Sequence, residues 1–295
     1  MNPTVEHRIE TPDGRVLAAL EGGDPAGRPV LSFHGTPGSR LLFAPDAALC
    51  ARDGIRLISY DRPGYGESTA SPGRSVADCV KDVRAIAAAL EIDQLAVWGI
   101  SGGGPHALAC AALLPDLVVA VAALAPLAPF GAPDLDFFAG MGEQNVEDIK
   151  LELADPAAAR AKGEREREDY LAADVATLAG LMHTLLGPAD QAAFSGELGE
   201  YLVESVRWGL APSADGWWDD GVALIEPWGF EVDSIATPVR LHHGRDDRFV
   251  PFGHGEWFAR HIPGVEAVLT DEDGHLTLLR HHLEAIHAWL LGHFA

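Results

Sequence analysis

Leu95-Ala96-Val97-Trp98-Gly99-Ile100-Ser101-Gly102-Gly103-Gly104-Pro105-His106-Ala107-Leu108 is the stretch that decides how this chain folds. Its apolar opening reads as a buried strand, and the alanine- and leucine-bearing end reads as a helix, with Ser101 on the turn between them. A strand that turns sharply into a helix strains the turn residue and needs neighbours without bulk, hence Gly99 and Gly103. The serine Oγ is pushed into the open. The backbone N–H of Gly102, at a helix start where amides lack partners, is placed to stabilise an oxyanion. G-x-S-x-G also arises by chance as an ordinary glycine-rich turn, so the strand and helix flanks and the partners elsewhere carry the weight.

Working outward, short apolar runs recur at Pro29 to Phe33, Ile55 to Tyr60, Leu117 to Leu124, Val239 to His243 and Val265 to Thr270. A hairpin-like pair, Val5 to Ile9 and Val16 to Leu20 across Pro12-Asp13-Gly14, precedes them. Val76 to Leu90, Gly103 to Leu114, Gly253 to His261 and Thr277 to Leu291 carry helical apolar spacing. This alternation predicts an α/β fold, a mostly parallel central sheet flanked by helices. It stops near Pro126 and resumes near Pro238, so the interval is an insertion. The charge run Glu164 to Asp169 within it is expected to be a solvated helix face. Trp208, Trp217, Trp218, Trp228 and Phe230 cluster in its second half. An inserted layer over the C-terminal strand ends lies where open α/β sheets bind ligands, which makes the four tryptophans candidate substrate-binding residues, with core packing as the competing reading.

Serine is a poor nucleophile unless a base takes its proton and an acid orients that base. Of thirteen histidines, His281, His282, His287 and His293 fall in or after the last helix, and His106 falls in the helix after Ser101. His275 instead lies in Asp271-Glu272-Asp273-Gly274-His275, between the last strand and the last helix, at the sheet edge where Ser101 opens. His243-Gly244-Arg245-Asp246-Asp247-Arg248-Phe249-Val250-Pro251 offers an acid at the same edge. Upstream, Pro29-Val30-Leu31-Ser32-Phe33 runs into His34-Gly35-Thr36-Pro37-Gly38-Ser39. We assign a second oxyanion donor to the Thr36 amide, a neighbouring amide being the alternative, and a structural role to His34. Asp61-Arg62-Pro63-Gly64-Tyr65-Gly66-Glu67-Ser68 reads as a scaffold turn.

Together these stretches resemble the α/β-hydrolase family over nearly the whole chain outside the insertion. HGTPGS is similar to that family's oxyanion loop, DRPGYGES to its D-R-x-G-x-G-x-S turn, and GISGGG to its nucleophile elbow. The resemblance implies Ser101 as nucleophile and His275 as base. It implies Asp247 as acid, at the last position of G-x-x-D ahead of x-x-V-P, with Asp246 beside it. It also implies a core formed by residues 1–126 and 237–295, with residues 127–236 as a helical cap. A serine at the elbow excludes the aspartate-dependent dehalogenases and epoxide hydrolases of this family. The expected activity is hydrolysis of a carboxylic ester or lactone through an acyl-enzyme. Alternatives on the same parts are a proline iminopeptidase-like aminopeptidase and a hydrolase of carbon–carbon bonds. From another class comes a non-catalytic ligand receptor.

Composition narrows the partners. A net charge of −23 repels nucleic acid phosphates and anionic membrane surfaces. No stretch is long and apolar enough to span a bilayer, and no secretory signal opens the chain, so a cytoplasmic location is expected. Cys50, Cys79 and Cys110 lack metal-ligand spacing and read as buried thiols. We expect a small-molecule substrate, no cofactor, no metal, and a monomer or homodimer.

Overall fold

The computed structural model describes residues 4–295. Eight strands, β1 (Val5–Glu10), β2 (Val16–Gly23), β3 (Arg28–Phe33), β4 (Ile55–Tyr60), β5 (Leu95–Ile100), β6 (Val118–Leu124), β7 (Val239–Gly244) and β8 (Glu266–Thr270), form one sheet in the order β1-β2-β4-β3-β5-β6-β7-β8. The β1–β2 hairpin is antiparallel and joins β4 antiparallel, while β3 to β8 pair in parallel. Strands covered on both faces read as continuous apolar runs. In β5 every residue is buried: Leu95 and Val97 enter one core cluster, whereas Ala96, Trp98 and Ile100 enter the other. That division is the two-residue side-chain period of a strand.

Among the described residues twelve α-helices accompany the sheet, in chain order α1 (Ala44–Asp53), α2 (Cys79–Ala89), α3 (Gly103–Leu113), α4 (Glu143–Ala154), α5 (Pro156–Ala172), α6 (Val175–Leu181), α7 (Pro188–Ala193), α8 (Gly196–Leu210), α9 (Asp215–Ile225), α10 (Phe252–His261), α11 (Thr277–His281) and α12 (Leu283–Leu291). Buried residues of α2, α3 and α10 fill the first cluster, and those of α1 and α12 the second. The long helix expected over Thr277 to Leu291 is broken at His282. There His281 and His282 both turn to Asp273, each at 2.7 Å. The three cysteines are free and buried. No helix among the described residues is long and apolar enough to cross a membrane.

Helices α4 to α9 all lie between β6 and β7. Their apolar residues continue the two clusters instead of forming a third: Leu224 joins the first, and Tyr170, Leu178, Phe194, Leu198 and Val203 join the second. A buried ionic group ties this layer to the sheet. Asp220 of α9, fully enclosed, meets Arg62 at 2.5 Å, Arg74 at 2.7 Å, the Tyr65 hydroxyl at 3.0 Å and the Thr36 hydroxyl at 2.9 Å. Burial pushes its pKa up, but the two guanidiniums overcome this and hold it well below the carboxylate range. Asp220→Ala would leave the buried Arg62 without its acid and Arg74 with Asp219 alone, at 3.1 Å, and breaking a buried pair costs about 3–5 kcal/mol. We expect a correspondingly large loss of unfolding free energy in urea titration; a loss below about 1 kcal/mol would mean the group behaves as a surface pair.

Candidate active site

Every residue expected to carry chemistry lies just beyond the C-terminal end of a parallel strand, where open α/β sheets place their ligands. Ser101 follows β5 and precedes α3, with φ of +56°. Its amide donates to Leu124 O (2.9 Å) and its carbonyl accepts from Gly104 N (2.8 Å), which pins the turn from both sides. The neighbouring glycines are required by close approach. A Cβ on Gly99 would strike the Gly103 carbonyl, and one on Gly103 would lie 2.5 Å from the carbonyls of Phe33 and His34.

His275, on the loop between β8 and α11, donates from Nδ1 to Asp247 Oδ2 at 2.7 Å. Both side chains are buried. The other Asp247 oxygen accepts from Val250 N at 2.8 Å, so this carboxylate is held at both ends. Burial pulls the His275 pKa down, but the charge and hydrogen bond of Asp247, with the charge of Asp190 behind them, leave it raised above its ordinary value. Phe249 stacks on the imidazole with ring centroids 4.6 Å apart. With Nδ1 committed to Asp247, Nε2 is the nitrogen left to exchange a proton.

The loop after β3 is shaped from below. Arg62 donates to the carbonyls of His34 and Gly35 and to the Thr36 hydroxyl (2.9 Å). His34 Nε2 accepts from Arg62 N, and its Nδ1 donates to Gly35 O at 2.7 Å. Burial, reinforced by Arg62, keeps the His34 pKa well below its usual value, so this ring is a neutral strut. Among the described residues, no hydrogen bond within the chain engages the amides of Thr36 or Gly102. A Cβ on Gly102 would collide with the Thr36 side chain, so the two residues are in contact. His106 packs behind the elbow with Nδ1 on Gly102 O at 2.7 Å; burial, then Arg62, lowers its pKa to about 3.

Two cavities meet at Ser101, both bordered by Thr36, Pro37, Tyr170, Met182 and Phe249. The larger, about 240 Å³, extends under the inserted helices to Leu224, Trp217 and Trp218 and to the charged side chains Asp148, Glu152, Lys162 and Glu166. The smaller, about 140 Å³, contains His275 and is lined by Phe43, Trp98, Ile100, Tyr201 and Leu279, with Asp46 among its walls. Burial, then the Asp148 charge, raises Glu152 to about 7.

The four tryptophans separate. Trp217 and Trp218 line the larger cavity, whereas Trp228 is core: its indole N–H donates to Leu224 O (3.1 Å) and its ring packs on Phe230 and Phe258. Trp208 stands on the surface, its ring stacked outside the buried Arg40 guanidinium 4.9 Å away. Helix geometry accounts for its position, since Trp208 leaves the exposed side of α8 while its neighbour Gly209 is buried. In the charge run of α5, Glu164, Arg165, Glu168 and Asp169 are exposed as expected, whereas Glu166 is half-buried and pairs with Lys162 at 2.9 Å on the cavity wall. Two residues escaped the sequence reading. Asp220 and Asp190 look like ordinary helix-face acids, and only the chain's return beneath them shows otherwise.

Among the described residues, one group of ligand-type side chains, Asp46, Cys50 and His287, is close enough to hold a cation. Burial drives all three toward uncharged forms, with Asp46 raised to about 7, the thiol raised and His287 lowered to about 4.

A family model described as alpha/beta hydrolase fold matches residues 28–281. AB hydrolase superfamily protein YisY of Bacillus subtilis (strain 168) is 27% identical over 275 residues, 91% of this chain and 92% of that protein. The esterase EaEST from Exiguobacterium antarcticum superposes with a TM-score of 0.71 at 19% identity, over 97% of this chain and 100% of that one. The enol-lactonase from Burkholderia xenovorans LB400 gives a TM-score of 0.66 at 17% identity, over 97% and 98%. At such identities the structural likeness speaks for the fold alone.

Proposed function

This chain belongs to the alpha/beta hydrolase fold family, and from that premise we propose that it is a serine hydrolase cleaving a carboxylic ester or lactone through an acyl-enzyme. The observation that carries the proposal is the buried 2.7 Å bond from His275 to Asp247 in the cavity that Ser101 enters from its strained turn. In this reading Ser101 Oγ attacks the carbonyl carbon while its proton passes to His275 Nε2. The amides of Gly102 and Thr36 hold the oxyanion. Collapse breaks the bond to the alcohol, which leaves with the proton from His275. Water then attacks the acyl-enzyme, with His275 as base, and frees the acid and Ser101.

The position of the proton donor supports a placement of the two product halves. His275 borders the smaller cavity and not the larger, so in this reading the alcohol it protonates leaves there, and the acyl group takes the larger one. Glu152 supports a second reading. It lines the acyl side and its Oε1 is buried without a hydrogen-bond partner, which suits a substrate bearing an amine, as in an aminopeptidase. A turnover screen over aryl esters, lactones, aminoacyl amides and vinylogous diketones tests both readings, with a fluorophosphonate adduct mapped by mass spectrometry. Ester or lactone turnover with the adduct on Ser101 supports the first. Preference for aminoacyl amides transfers support to the second. A chain that neither labels nor turns over any of these substrates is a receptor on a hydrolase fold.

The pH dependence follows from His275. The base must be neutral to accept the serine proton, and its pKa is raised by Asp247 and Asp190. Activity should therefore be lost on acidification through a midpoint above the ordinary imidazole value of about 6.5. A pH profile of kcat/KM checks this, and a midpoint below that value counts against His275 as the base.

A further inference from the structure

We propose that α7 is a clasp joining the two catalytic loops, and that its Asp190 is the positioning residue that sets His275 in place. The inference rests on the reading of His275 as the base. Asp190 is completely buried, and its carboxylate accepts three consecutive backbone N–H groups: His275 at 2.8 Å on Oδ2, Leu276 at 2.7 Å and Thr277 at 3.2 Å on Oδ1. These amides open α11, whose own flanking residue, Leu276, supplies no capping side chain. A carboxylate 85 residues away in sequence does so instead. Such charge-assisted bonds to a helix start are short and strong. The fit is close enough that a Cβ on Gly274 would lie 2.5 Å from the Asp190 carboxylate, so only glycine can precede the base here.

The arrangement is reciprocal. Asp246, beside the residue that bonds His275, turns the other way and accepts from Ala189 N in the first turn of α7 at 3.1 Å. A Cβ on Gly187 would strike that same carboxylate at 2.5 Å. The acid loop therefore caps α7, and α7 caps the base loop. A direct bond from Asp246 N to Asp273 O at 3.0 Å completes the circuit. Displacement of the inserted layer at α7 would move both loops against Ser101, which is carried on β5 and has no contact of this kind with α7. Since α7 belongs to the same inserted layer that encloses the acyl cavity, its seating and the alignment of the base are one event.

Asp190 also contributes charge. The groups facing His275 are Asp247 from the loop after β7, Asp190 from α7, and His243 of β7, which lies 3.7 Å from Asp247 and is kept neutral chiefly by burial. Asp190 is the second of two carboxylates favouring the imidazolium, and a purely structural cap would not register in the titration of the base.

The test uses Asp190→Asn in the full chain, with fluorophosphonate labelling of Ser101 and ester turnover followed across pH. We expect kcat to fall about 10–100-fold, the scale of a small misplacement of a catalytic group, with KM little changed. The midpoint of the labelling profile should move to lower pH. An unshifted midpoint with wild-type kcat overturns the clasp while leaving the serine mechanism intact. Failure of the wild type to label at Ser101 overturns both. If Asp190→Asn does not fold, Asp246→Ala and Asp246→Asn decide. Alanine removes the acceptor for Ala189 N and should lower kcat by about 3–10-fold, the worth of one hydrogen bond. Asparagine keeps an acceptor oxygen and should restore most of it. Wild-type kcat in Asp246→Ala then overturns the proposal.

Discussion

Replacing Ser101 with alanine is expected to abolish labelling by a fluorophosphonate probe and to lower kcat for an activated ester by about 10⁶-fold, the loss that follows when the nucleophile of a serine–histidine–acid unit is removed. The fold should survive. The Ser101 side chain borders open cavity, and the turn is held by backbone bonds from Ser101 N to Leu124 O and from Gly104 N to Ser101 O that alanine retains. Alanine at φ of +56° accepts the same strain that serine already bears. The thermal unfolding midpoint should thus stay within a few degrees of wild type, and that measurement separates loss of chemistry from loss of structure. Turnover within tenfold of wild type in a Ser101→Ala preparation would place the nucleophile elsewhere.

Asp247→Asn should cost about 10⁴-fold in kcat, whereas Asp246→Asn should cost less than tenfold, on the order of one hydrogen bond. The reason is a conflict of donors. Asp247 Oδ1 accepts from Val250 N at 2.8 Å, so an asparagine there keeps its oxygen on that amide and turns its NH₂ toward His275. Nδ1 must then accept, which puts the proton on Nε2 and leaves the nitrogen facing the cavity unable to take one from Ser101. Asp246 faces α7 and accepts a single bond from Ala189 N, a role the asparagine oxygen can fill. Steady-state turnover of both variants on one ester checks the assignment. A crippled Asp246→Asn beside a nearly normal Asp247→Asn would reverse it.

Much of this molecule was legible in its sequence. The apolar runs from Pro29 to His243 mark five inner strands of the sheet because strands buried on both faces must be apolar throughout, and the run to Thr270 marks the partly exposed edge strand β8. Ser101 stands out because a strand-to-helix turn at this density of glycine has few uses. The spacing Gly244 to Pro251 points to Asp247 through the resemblance, and the structure bonds that residue to His275. These signals are local, carried by the conformational demands of residues close together in the chain.

Tertiary structure alone decided which way neighbouring side chains face and which surface acids are buried. Asp246 and Asp247 are adjacent and chemically alike, yet one caps α7 and the other holds the imidazole. Trp208 and Trp217 are both tryptophans of the insertion, yet one covers a buried arginine at the surface and the other lies on a cavity wall. Nothing local in PADQAA or DGWWDDGVALI sets Asp190 or Asp220 apart from an ordinary helix acid, and each becomes buried when loops that follow β-strands in distant parts of the chain close over it. A carboxylate's cost of burial is offset by partners far away in sequence, so no local pattern of residues can announce it.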